Sequence, residues 1–193
     1  MKIELKKHLI PLCIIFILTS IIWIFNKVIY YQYFYLLFGL SFGSFFLDID
    51  HILYWLVLNP NLEESKLAKV IIKKRDYKNL LKLLESTHKS HTSLIFHHST
   101  SQIILGLTSL FIFTSSDNIF AISFLLALNL HLLIDEAEVL FNKNDSNSSL
   151  AHLQDWLFAR LPAQLPLKYL KHYVLFFLLL NFVFSLLLIK SAI

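Results

Sequence analysis

Five apolar runs close to membrane-crossing length constrain this chain more than any other feature. They cover residues 9–25, 28–47, 92–113, 119–135 and 173–189, each 17 to 22 residues long. At about 1.5 Å per helical residue, such runs span most or all of a hydrocarbon core roughly 30 Å thick. Backbone groups in lipid must be satisfied internally, which leaves helices or closed barrels. Runs this continuous predict helices. The expected fold is therefore all-α: a polytopic membrane helix bundle of about five spans, forming a single integral membrane domain over 1–193. Composition agrees, because 56% of the 193 residues are apolar and only 16% charged, too few charges for an ordinary water-soluble domain. The third run is the weakest of the five, since its first half, "TSLIFHHSTSQ", is polar.

The opening "MKIELKKHLIPLCIIFILTSIIWIF" has lysines before an apolar core, as a signal peptide does. The core is long for that, and no small-x-small cleavage site follows, so a retained span is expected. Cys13, the single cysteine, rules out a disulfide framework. The formal charge of +4 does not point to nucleic acid as a stable partner, because the basic residues gather beside apolar runs, where they anchor to lipid headgroups.

Lysine placement orients the bundle. Lys2, Lys6 and Lys7 precede the first run, eight basic residues from Lys66 to Lys89 lie between the second and third, and Arg160, Lys168 and Lys171 precede the last. The other two connections carry only Lys27. A cytoplasmic amino terminus puts all three basic segments inside, as the positive-inside rule prefers in a cell (inner) membrane. Tyr30, Tyr31, Tyr33 and Tyr35 then lie at the outer interface. Residues 62–84 mix lysines with leucines, predicting a basic amphipathic helix that lies on the inner leaflet or packs on the bundle. "LQDWLFARLPAQLPLKYL" predicts a second interfacial element, broken at its prolines.

Within this frame the polar residues converge. "FFLDIDH" puts Asp48, Asp50 and His51 at the end of the second run, His88 and His91 precede the third, His97 and His98 lie within it, and His131 and Asp135 close the fourth. His131 and Asp135 are i,i+4 and share a helix face, as do Asp48 and His51 at i,i+3, with Ser41 and Ser44 continuing the stripe. His91 and His98, seven apart, return to one azimuth if that segment is helical. Asp50 points the other way from Asp48. Imidazole and carboxylate together are ordinary ligands for zinc, manganese or iron, and ionisable residues inside a membrane are functional candidates by default. Taken singly, each histidine is as readily an interfacial polar residue or a helix–helix contact. His8 and His172 are expected at the surface, and His152 with Asp155 form a weaker ligand set. "GLSFG" at 39–43 is a G-x-x-x-G, which permits close helix approach or serves a homodimer.

"GSFFLDIDH", "THKSHTS" and "HLLIDEAE", in that order, resemble the YdjM-type family of membrane-bound metal-dependent hydrolases. The resemblance covers residues 39–138. It implies Asp48, Asp50, His51, His91, His131 and Asp135 as metal ligands, with His88 at altered spacing and His97 or His98 as substitutes. Leu47 stands where the family has proline, and the central motif lacks its Arg-Gly.

The expected activity is hydrolysis of a phosphoester, phospholipid or nucleotide, at the cytoplasmic membrane face. It would use one or two divalent ions, zinc first, held by Asp48, Asp50, His51, His88, His91, His98, His131 and Asp135. Asp50 or Glu136 is the expected proton acceptor. A scaffold with a structural metal is the main alternative. An ion transporter fits less well, since such sites favour the midplane of repeated halves.

Overall fold

The computed structural model describes residues 2–87, 91, 94–141, 146–159 and 161–193. Helices α1 (Lys2–Phe25), α2 (Tyr31–Phe46) and α3 (Ile49–Leu53) come first, and a π-helical turn (Tyr54–Leu58) prolongs α3. Then follow α4 (Glu63–Lys73), α5 (Tyr77–Thr87), α6 (Ser99–Ser115), α7 (Ile119–Leu140), α8 (Ser146–Phe158) and α9 (Leu167–Lys190). Among the described residues there is no strand.

Four segments are long and apolar enough to cross a membrane: Lys7–Phe25, Tyr31–Leu58, Ile119–Leu140 and Leu167–Lys190. The second is longer than its apolar run, because helix resumes beyond a turn at Leu47–Asp48. Its aspartates therefore lie within a helical segment instead of ending one. The third run shortens instead. Residues 94–98 are irregular chain, and α6 keeps 17 residues, about 26 Å of helix. The polar half of that run satisfies its backbone by another route, described below. Lys89, Thr92 and Arg160 lie outside the described residues.

α7 is the central helix. α2, α6, α8 and α9 all pack on it, and α1 adds a lighter contact. The α2–α7 approach is set by glycine: a Cβ on Gly43 would stand 2.5 Å from the Phe124 carbonyl oxygen and 2.7 Å from Ala127 Cβ. A Cβ on Gly39 would be 2.7 Å from the Phe120 carbonyl oxygen. The G-x-x-x-G face is thus used inside the chain, which removes it from any homodimer contact. A core of Trp23, Leu36, Leu40, Ile122, Leu126 and Phe184 fills the bundle half away from the aspartates. The Trp23 indole donates to the Ile189 carbonyl at 2.8 Å, tying α1 to the end of α9.

The basic stretch folds as two helices, α4 and α5, turned at Arg75, whose φ of 56° is left-handed. Ala68, Leu80, Leu83 and Leu84 pack around Tyr54, Trp55 and Leu94, while Leu67, Val70, Tyr77 and Leu81 remain exposed. One apolar face is packed and another is open. α8 packs on the bundle and ends before the prolines, with Leu153, Trp156, Leu157 and Phe158 buried against α7 and α9 residues.

Candidate metal centre

Close packing of α2 on α7 brings the Ser44 carbonyl within 2.8 Å of His131 Nδ1. A carbonyl only accepts, so this ring nitrogen carries the proton and donates. In the neutral imidazole Nε2 is then the bare lone pair. It lies 3.3 Å from Asp135 Oδ2, one turn on, and 3.7 Å from Asp48 Oδ1. Neither His131 Nε2 nor Asp135 Oδ2 has a hydrogen bond of good geometry among the described residues. Both are nearly fully buried. Electron pairs from three side chains therefore face one another, an arrangement that a cation satisfies. A ring N–H anchored on a backbone carbonyl is also how a metal-ligating histidine is held in its tautomer.

His8 completes the group. Its ring stacks on His131, with centroids 4.3 Å apart, and its Nε2 is 3.3 Å from Asp135 Oδ1. His8, His131 and Asp135 each offer one ligand atom, all within 4.8 Å of one another, so this group could hold a metal ion. The expectation that His8 lies at the surface is corrected: only 12% of its side chain is exposed. Its position was legible, since the orientation that collects the other histidines puts the start of α1 at the same end of the bundle.

Asp50 has a different task from the one expected. Its oxygens accept the backbone N–H groups of Ile95 at 3.0 Å, Phe96 at 2.5 Å and His97 at 3.3 Å. The His97 ring adds Nδ1 at 3.3 Å. This fully buried carboxylate folds the 94–98 segment around itself, supplying the partners that a helix would have given. Its lone pairs are engaged there, which leaves it poorly placed as a proton acceptor.

That fold decides between the two adjacent histidines. His97 turns inward, with Nε2 3.5 Å from Asp135 Oδ2, whereas His98 caps α6, its Nδ1 accepting from Thr100 N at 3.3 Å. The expected shared azimuth of His91 and His98 fails because residues 94–98 are not helical. Burial disfavours a charged His97 ring, but Asp135 and Asp50 on its two nitrogens outweigh this and hold its pKa up at about 9.

A second group adjoins the first. His51 and His91 meet at 2.8 Å through their Nδ1 atoms, and His91 Nε2 is 3.3 Å from Glu64 Oε1 on α4. Tyr54 stacks on the His91 ring at 4.0 Å, placed there by the π-helical turn, a deformation frequent at functional sites. Burial raises the Glu64 pKa above the usual carboxylate range. The His51 and His97 rings stand 5.4 Å apart and join the two groups.

Of the remaining expected residues, Asp48 is the most open carboxylate of the cluster, with a third of its side chain exposed. Glu136 is buried behind Asp135 and faces Gln102, although neither of its oxygens makes a hydrogen bond of good geometry among the described residues. His88 lies outside the described residues. His152, Asp155 and His172 are exposed and stand apart from the His8–His131–Asp135 group. Ser44 contributes its carbonyl, and Ser41 faces outward. Comparison with protein-family models, with curated proteins and with solved structures yields no match.

Proposed function

We propose that this protein is a membrane-bound metal-dependent hydrolase acting on phosphoesters at the cytoplasmic face. The observation that carries the reading is His131: its Nδ1–H is held by a backbone carbonyl while its Nε2 faces two carboxylates. His8, His131 and Asp135 would hold one ion, and His51, His91 and Glu64 adjoin them as further imidazole and carboxylate groups. Zinc suits this imidazole–carboxylate set first, with manganese and iron as alternatives. A divalent ion here supplies Lewis acidity toward a phosphoryl oxygen and makes water a better nucleophile at neutral pH.

The chain's own groups then have separable roles. Asp48, open to solvent and 3.7 Å from His131 Nε2, takes the proton from the attacking water at its carboxylate. Asp50 holds the 94–98 segment so that His97 keeps its place against Asp135. The resemblance of "LDIDH" and "HLLIDE" to the YdjM-type family supports the same reaction class. Elemental analysis of the detergent-purified protein tests the reading, together with turnover of bis(p-nitrophenyl) phosphate. The parent should carry at least one transition metal per chain, His131→Ala should lose it, and Asp48→Asn should keep metal but lose turnover. A metal-free parent ends the proposal.

The burial of His8, His131 and Asp135 also favours a second reading, a structural ion stapling α1 to α7. Metal retained without turnover of any phosphoester selects that one.

A further inference from the structure

α2 and α6 both pack on α7, and an apolar groove of about 310 Å³ runs between them. Its floor is Leu128 and Leu132 of α7, and its walls are Phe46 and Leu47 on one side and Leu105 and Phe96 on the other. The groove is not an isolated crease in the lipid-facing surface. At one end it is built from the immediate neighbours of the centre: Leu47 precedes Asp48, Phe96 precedes His97, and Leu132 follows His131. The segments that bring Asp48, His97 and His131 to the candidate ion thus each bring an apolar side chain to the groove, whereas α1, which brings His8, does not line it.

We infer that this groove is a binding site for a single alkyl chain of a membrane phosphoester, whose phosphate lies at the metal centre. The inference rests on the hydrolase reading for the fate of the phosphate, but the groove itself is testable without turnover. Its size is at the lower end of small-molecule sites, suited to one extended chain. Moving that chain from bilayer into groove gains nothing hydrophobic, because lipid tails are as apolar as leucine. Selection must therefore come from the headgroup, and the groove aligns it. A chain seated between α2 and α6 carries its phosphate toward Asp48, the most open carboxylate of the cluster. A soluble nucleotide has no use for such a feature.

The test uses the full-length protein in phosphatidylcholine nanodiscs, with an alkyl phosphate carrying a chain diazirine as the photolabel. The expected result is labelling concentrated on residues 101–108 and 128–132. Dodecyl phosphate should displace it at least tenfold more effectively than dodecanol or inorganic phosphate. Leu105→Trp, which fills the groove, should abolish it. Ile104→Trp, placed on the exposed rim, serves if the first variant does not fold. Equal labelling of open lipid-facing residues such as Leu107 and Phe176, or equal displacement by dodecanol, overturns the inference.

Turnover separates this inference from the hydrolase reading. Dodecyl p-nitrophenyl phosphate should show a KM at least tenfold below that of the methyl ester. Leu105→Trp should erase this difference by raising the dodecyl-ester KM to that of the methyl ester. Groove labelling without hydrolysis of either ester ends the hydrolase reading and keeps the alkyl site. Hydrolysis of both esters with equal KM and no groove labelling does the reverse.

Discussion

A single methyl group on a glycine that offers no ligand should disable the centre. In Gly43→Ala the new Cβ would stand 2.5 Å from the Phe124 carbonyl oxygen and 2.7 Å from Ala127 Cβ, where ordinary contact begins at 3.4 Å. Neither obstacle is the end of a flexible side chain, so α2 must back away from α7 by about 0.9 Å. The residue after Gly43 is Ser44, whose carbonyl holds His131 Nδ1 at 2.8 Å. Displaced by the same amount, that contact opens to about 3.7 Å, beyond hydrogen-bond length. A ligand histidine deprived of its outer partner loses roughly 10- to 100-fold in metal affinity, or about 1.4 to 2.8 kcal/mol.

The assay is competitive zinc titration against a chromophoric chelator in detergent, with thermal unfolding recorded alongside. Gly106→Ala is the control, because its Cβ would meet only Leu180 Cδ2 at 3.4 Å and Phe177 Cε1 at 3.6 Å. It should bind zinc like the parent. If folded Gly43→Ala keeps parental affinity within twofold, the helix approach does not set the centre, and the argument from packing to ligand geometry is wrong.

The remaining predictions concern individual residues. His8→Ala should lower zinc affinity at least tenfold, whereas His152→Ala and His172→Ala should leave it unchanged in the same titration. Asp50→Asn replaces one accepting oxygen with an NH2 that faces one or two of the three backbone N–H donors, which should cost about 2–4 kcal/mol and expose 94–98 to limited proteolysis; undiminished protease resistance would refute the stapling role. In chelator-stripped protein His97 has a folded pKa of about 9, raised above an unfolded value of about 6.5. Its contribution is thus complete below about pH 6.5 and lost as pH rises through about 9. The melting temperature should fall across that window, and His97→Gln should flatten the fall.

Much of the centre was legible because periodicity and side-chain chemistry are local. The i,i+4 spacing of His131 and Asp135 places them on one face of any helix, and that is how they stand. The approach of Asp48 to His131 followed from run lengths and lysine placement, which assign chain ends to a common side. Errors arose where local rules compete. Residues 94–98 were counted with an apolar run, yet the N–H groups of Ile95, Phe96 and His97 found a carboxylate 45 to 47 positions earlier, and this stretch is not helical. That one substitution of partners shortened α6, exchanged His98 for His97, and turned Asp50 from a candidate base into a staple. His8 was set aside because a histidine beside lysines at a span end reads as interfacial, and nothing within α1 distinguishes the two cases.

By itself the sequence determined that the chain is helical, that it carries apolar runs near bilayer-crossing length, and which residue types are available for ligation. Those properties depend on hydrophobicity and helical period, which act over a few turns. Only the tertiary structure decided which lone pairs face one another. It pressed two glycines of α2 onto the α7 backbone, handed the Ser44 carbonyl to His131, and brought His8 from the first helix to Asp135 on the seventh. Such choices turn on ångström-scale contacts between segments about eighty or more residues apart, and no local pattern encodes their distance.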